Sequence, residues 1–112
     1  MYRAEIEEYL RKIGLKPFYL YVYDHRRDKK RNIDYSKTRE ASALRYLLRT
    51  RAGIIKIDQS TFLVAPSEKQ TIKEIERKLH LSRAKYTKCI IYVFPREFQK
   101  LLQKREDSKG ET

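Results

Sequence analysis

The chain reads as one α+β domain with a small antiparallel sheet, and three observations predict this. Apolar residues recur at helical spacing in four segments, while four others are short and rich in β-branched or aromatic residues. Gly14, Pro17, Gly53, Pro66 and Pro95 punctuate the junctions between them. A length of 112 residues suits a single domain with a small core.

Each element has its own warrant. Ile6, Tyr9, Leu10 and Ile13 set a first amphipathic helix, with Glu5, Glu7, Glu8 and Arg11 elsewhere on the wheel. Gly14 stops it, and Pro17 imposes extended chain. In the strand at 18–24, Phe18, Leu20 and Val22 alternate with Tyr19, Tyr21 and Tyr23. Residues 25–35 have no apolar period and read as a basic loop. A second helix begins near Asp34, Ser36 or Thr38, each able to cap it. Its buried stripe is Ala41, Leu44, Leu47 and Leu48, and Gly53 closes it.

Residues 54–58 and 61–65 read as two short strands. Asp58-Gln59-Ser60 joins them without the Asn-Gly or Asp-Gly of a tight hairpin. Pro66 and then Ser67-Glu68-Lys69-Gln70, a capping box, announce a third helix with Ile72, Ile75 and Leu79 on its apolar face. Residues 89–94 are apolar on both faces, which predicts a central strand ended by Pro95. Phe98, Leu101 and Leu102 suggest a short C-terminal helix, and 106–112 a frayed tail.

Without the terminal helices the order is β-α-β-β-α-β, the ferredoxin-like unit. Right-handed crossovers place both middle helices on one sheet face, with the first and last strands adjacent at the centre. The other face is left to water, a partner or the terminal helices.

Charge narrows the function. Residues 26–51 hold ten Lys/Arg against three acids, a surplus of +7 out of a formal net charge of +12. This run follows directly on the tyrosine-rich strand. Positive charge beside aromatic rings is what a polyanion with flat bases selects, so nucleic acid is the leading partner. An anionic membrane wants an amphipathic helix with cations opposite bulky apolar residues, and the densest basic run is not one. No apolar run approaches the roughly 18 residues of a membrane span, and the N-terminal segment lacks a signal peptide's apolar core. The single Cys89 forbids an internal disulfide and, lying in an apolar run, is expected to be a buried thiol in a reducing, cytoplasmic setting.

The candidate residues each carry two readings. If the helices cover the Phe18-Leu20-Val22 face, Tyr19, Tyr21 and Tyr23 line the open one and can stack unpaired bases; otherwise they pack under helices or a second copy. Arg26, Arg27, Lys29, Lys30, Arg31, Lys37, Arg39, Arg45, Arg49 and Arg51 either contact phosphates or form a solvated face. Asp24 either helps hold Mg²⁺ or Mn²⁺, with substrate phosphates, its symmetry mate, Asp34 or Asp58 completing the shell, or pairs with Arg26 or Arg27. His25 and His80 are isolated. No zinc spacing, nucleophile triad or Gly-rich phosphate loop is present.

These residues bear a family likeness. Tyr21-Val22-Tyr23-Asp24 resembles the "VVYD" first strand of the small ferredoxin-like CRISPR-associated endonuclease family, the dimeric second subunit of the spacer-integration complex. Tyr46-Leu47-Leu48, Gly53 and Ile57-Asp58-Gln59-Ser60-Thr61-Phe62 resemble its Leu-Leu, Gly and Gln-x-Ser-x-Phe pattern, and residues 90–95 its last core strand. The chain departs from that family in its leading helix, its longer basic loop and its adjacent Gln59 and Ser60. The resemblance implies a homodimer, nucleic acid across basic faces, and Asp24 as the metal-binding catalytic residue. The leading expectation is a dimeric nucleic-acid-binding domain. A Mg²⁺- or Mn²⁺-dependent endonuclease and a protein-interaction module are the alternatives.

Overall fold

The computed structural model describes residues 3–94, together with Arg96 and Lys100. The expected C-terminal helix at Phe98, Leu101 and Leu102 and the tail at 106–112 lie outside the described residues. The first helix, α1 (Arg3–Lys12), stops before Gly14, whose φ of +90° is left-handed. Its stripe does not enter the core: Ile6, Tyr9 and Ile13 are exposed.

The strand β1 (Lys16–His25) leads into two short strands, β2 (Arg27–Asp28) and β3 (Ile33–Asp34), paired as an antiparallel ribbon. The expected basic loop is therefore a hairpin. It closes through local turn chemistry, which no apolar period reports. Asp28 Oδ1 accepts from the backbone N–H of Lys30 and Arg31 at 3.1 and 3.2 Å, and Asn32 takes a left-handed φ of 54°. Two of the three cap candidates then act in succession. Asp34 caps a single 3-10 turn by accepting from Ser36 N, and Thr38 caps α2 (Arg39–Thr50) by accepting from Ala41 N.

After α2, β4 (Ile54–Asp58) and β5 (Thr61–Val64) form a hairpin in which Asp58 accepts from Ser60 N at 2.9 Å, closing the turn without a glycine. The helix α3 (Lys69–Leu81) follows. Its expected capping box does not form: Glu68 is the N-cap and makes no side-chain cap bond. Its side chain lies instead against Gly53, where a Cβ would stand 3.2 Å from Glu68 Cδ. Gly53 thus meets both a left-handed φ of +89° and a close approach.

The last strand, β6 (Ala84–Val93), completes a four-stranded antiparallel sheet of order β4-β5-β1-β6. The fold is α+β, with three helices among the described residues. Leu44, Leu47 and Leu48 of α2 and Ile75 and Leu79 of α3 share one core with Tyr21, Tyr23, Ile54, Phe62 and Val64, so both helices cover the same sheet face.

Three further expectations are overturned: the central place of the last strand, the burial of Cys89, and the sheet face that the helices cover. β6 is an edge strand, not a central one, and it starts at Ala84. Its ten residues pair along the whole of β1, but residues 85–90 are exposed, Cys89 among them. Backbone register with β1 holds this strand where burial does not. The sheet faces are also exchanged. Tyr19, Tyr21 and Tyr23 lie on the helix side, while Phe18 packs with Ile55 and Leu63 on the other.

The reason is chemical. Tyr21 is fully buried, stacks on Phe62 with centroids 4.9 Å apart, and donates to Glu76 Oε2 of α3 at 2.7 Å. Lys88 of β6 donates to the same oxygen at 3.0 Å. A buried phenol needs a partner for its hydroxyl, and the helix side supplies one. Burial works against the Glu76 carboxylate, but the bonds from Tyr21 and Lys88 outweigh it and hold its pKa below the usual value. Tyr21→Phe should lower unfolding free energy by about 1.5–3 kcal/mol in urea denaturation, the typical value of a hydrogen bond to a charged group. An unchanged midpoint would show that the hydroxyl contributes nothing.

Candidate nucleic-acid interface

Positive charge gathers in two open clefts. The first lies between the β2–β3 ribbon and the end of α3. Arg26, Arg27, Lys29 and Lys30 line it from the ribbon side, His80 and Arg83 from the other, and Tyr35 joins them. The second lies between α2 and α3, lined by Arg39, Arg49, Arg51, Arg77 and Lys78. The helix α2 offers this surface because its stripe of Ala41, Leu44, Leu47 and Leu48 turns inward, leaving Ser42, Tyr46 and Arg49 outside. Both clefts reach the last turn of α3, one through His80 and Leu81, the other through Arg77 and Lys78.

Each cleft contains one acid, and each acid is engaged. Asp28 Oδ2 lies 3.9 Å from Arg31 Nε, and Glu74 pairs with Arg51. The clefts therefore remain strongly cationic.

Seven of the ten cations expected from sequence line these clefts: Arg26, Arg27, Lys29, Lys30, Arg39, Arg49 and Arg51. Arg31 and Lys37 are exposed outside them. Arg45 is half-buried and engaged, donating to Ser36 O at 2.8 Å and Ser42 Oγ at 3.2 Å, so it braces the start of α2. Arg77, Lys78, His80 and Arg83 join the surface from a part of the chain the basic run does not include. The signal for Arg77 and Lys78 was their place beside, not on, the Ile72-Ile75-Leu79 stripe.

The expected tyrosine platform is absent. Tyr21 and Tyr23 are 0% and 5% exposed, and Tyr19 packs at the margin of the same core with Lys88 Nζ 4.3 Å from its ring centre. Burial and then the Glu76 bond push the Tyr21 phenol far above its ordinary pKa, and burial raises Tyr23. Tyr21 and Tyr23 are core rings, closed to bases by the helices above, while Tyr19 is half-buried at the margin.

Asp24 is the penultimate residue of β1, exposed and opposite Lys85 in register. It lines a small cleft with Arg26, Lys85 and Tyr86. It makes no ion pair with Arg26 or Arg27. Asp34 is committed to Ser36 and Asp58 to Ser60, and these bonds hold both carboxyls below their usual pKa. Among the described residues no three His, Cys, Asp or Glu side chains gather where a metal could be shared. A lone carboxylate does not fit a divalent cation held by this chain alone.

His25 Nε2 lies 3.0 Å from Ser82 Oγ and ties β1 to the end of α3. Burial, and next the Arg45 charge, lower its pKa below 6.5. Compared with protein-family models, curated proteins and solved structures, the chain matches none.

Two outcomes follow. The folded pKa of His25 lies below its unfolded value, so its contribution to stability is complete above about pH 6.5 and is lost as pH falls through the folded value. His25→Gln should flatten the acid limb of stability below about pH 6.5 in a urea-titration series, and an unchanged limb would refute this. Asp24→Asn should leave stability within about 0.5 kcal/mol and tighten nucleic-acid binding, because a negative charge beside Arg26 and Lys85 is removed. Cleavage by the wild-type protein with Mg²⁺ or Mn²⁺, lost in Asp24→Asn, would instead make Asp24 a metal ligand.

Proposed function

We propose that this protein binds nucleic acid through phosphate contacts, using the two basic clefts around the last turn of α3. The observation that carries the reading is that Arg77, Lys78 and Arg83, from the end of α3 and just beyond it, line the same clefts as seven cations of residues 26–51. A merely soluble surface intersperses its charges. Here two clefts hold ten Lys/Arg and two acids, both already engaged. Such contacts give affinity and position without sequence information.

The order β4-β5-β1-β6, with α2 and α3 on one face, supports a ferredoxin-like arrangement carrying two additions, α1 and the β2–β3 ribbon. The same reading includes a homodimer. β6 is an edge strand exposed over residues 85–90, and an unpaired edge of that length offers backbone partners to a second copy.

The test is binding measured against salt. Wild type should lose affinity steeply as salt rises, and neutral lipid vesicles should not compete. Replacing Arg26, Arg27, Lys29 and Lys30 with Gln should weaken binding and reduce the log–log salt slope by about 0.9 for each duplex phosphate that is no longer neutralised. Arg77→Gln/Lys78→Gln should do the same by a smaller amount, although it lies outside the basic run. Salt-independent binding, or slopes unchanged in both variants, would reduce the clefts to solvated surface. Light scattering in the same buffers should show a dimer at micromolar concentration, and a strict monomer would remove the second copy.

A further inference from the structure

The β2–β3 ribbon has the shape and charge to enter a groove. Its tip, Lys29, Lys30, Arg31 and Asn32, is exposed throughout, as are Arg26 and Arg27 at its base. The one acid of the tip is consumed internally: Asp28 Oδ1 accepts from two backbone N–H groups and Oδ2 faces Arg31. The base is anchored. Tyr35 N donates to Arg26 O at 3.1 Å, and Arg45 holds Ser36 O. A short ribbon fixed at its base and carrying one sign of charge is a preformed probe, so little ordering entropy opposes its insertion.

We propose that this ribbon inserts into the major groove of duplex DNA, with one bordering phosphate strand running in the cleft between the ribbon and the end of α3. This rests on the reading that the basic surface binds nucleic acid, and it names the kind. Paired strands lie about 5 Å apart, and the B-form major groove, about 12 Å wide, admits a two-stranded ribbon. Arg83 and His80 stand across the cleft, where that phosphate strand would pass. The major groove of A-form RNA is too deep and narrow for side chains to read, which selects DNA.

A single strand is disfavoured because neither cleft offers a row of rings: one tyrosine lines each. Tyr21 and Tyr23 are buried. The two tyrosines that line the clefts each carry a guanidinium over the ring, Arg83 at 5.5 Å from Tyr35 and Arg49 at 5.8 Å from Tyr46. Binding by phosphates and groove, without stacking, is the remaining mode.

The test uses dimethyl sulfate, which methylates guanine N7, an atom displayed in the major groove. Wild-type protein on a mixed-sequence DNA duplex should protect N7 positions. It should also bind that duplex at least about tenfold more tightly than single-stranded DNA or duplex RNA of equal length at the same salt. Lys29→Ala/Lys30→Ala should abolish the protection while the protein stays folded by circular dichroism. Arg77→Ala/Lys78→Ala should weaken binding several-fold but keep the protection. Duplex binding without N7 protection, protection that survives in the ribbon variant, or equal affinity for single strands or duplex RNA would overturn the ribbon proposal and leave the phosphate-binding reading standing. Absence of salt-dependent binding to any of the three nucleic acids would overturn both.

Discussion

A phenol hydroxyl inside a small protein must find a partner or cost the full desolvation of an unpaired polar group. Tyr21, at the middle of the central strand, has no exposed surface, and its hydroxyl meets Glu76 at 2.7 Å. Glu76 also receives Lys88 of the edge strand, and Tyr86 Oη lies 3.4 Å from its other oxygen. One carboxylate thus joins the central strand, the edge strand and α3. The flat stack of Tyr21 on Phe62 adds β5 to the same junction. Which face of the sheet the helices cover follows from this cluster, because Glu76 projects from α3 and only the tyrosine side of β1 can meet it.

The location of the charges depends on that choice. With the tyrosines turned inward, no aromatic platform is left on the sheet for bases. With Leu44, Leu47 and Leu48 of α2 and Ile75 and Leu79 of α3 turned down onto those tyrosines, the polar sides of both helices face outward together. Arg39 and Arg49 then stand beside Arg77 and Lys78. The same packing brings the end of α3 next to the ribbon, where His25 and Ser82 bind each other across the join. The basic surface is a consequence of how the core closes.

Much of the local structure was legible residue by residue. The stripe Ala41, Leu44, Leu47 and Leu48 is buried as its spacing requires. Thr38 and Asp34 cap as their side chains predict, and Asp58 turns the β4–β5 hairpin. The failures share a physical cause. The ribbon at residues 27–34 is held by an Asp28 turn and a left-handed Asn32, which leave no hydrophobic period to read. β6 reads as central because residues 89–94 are apolar, yet its place at the edge comes from pairing with β1 alone. Ser67 and Gln70 have the spacing of a capping box, yet Glu68 is the N-cap and its side chain lies against Gly53. The α1 stripe has the right spacing and still lies exposed, since periodicity reports a helix and not what covers it.

The amino-acid order by itself determined the three described helices, most of the strands, and the concentration of positive charge in residues 26–51. Those are properties of neighbours in sequence: periodicity, caps, turns and composition. Tertiary structure decided which sheet face is core, which strand is edge, that Arg45 is a brace, and that Arg77, Lys78 and Arg83 belong with cations roughly 25–55 positions earlier in the chain. It decided them because alternation along β1 yields two chemically plausible faces, and the choice between them is made by a contact 55 residues away, the bond from Tyr21 to Glu76.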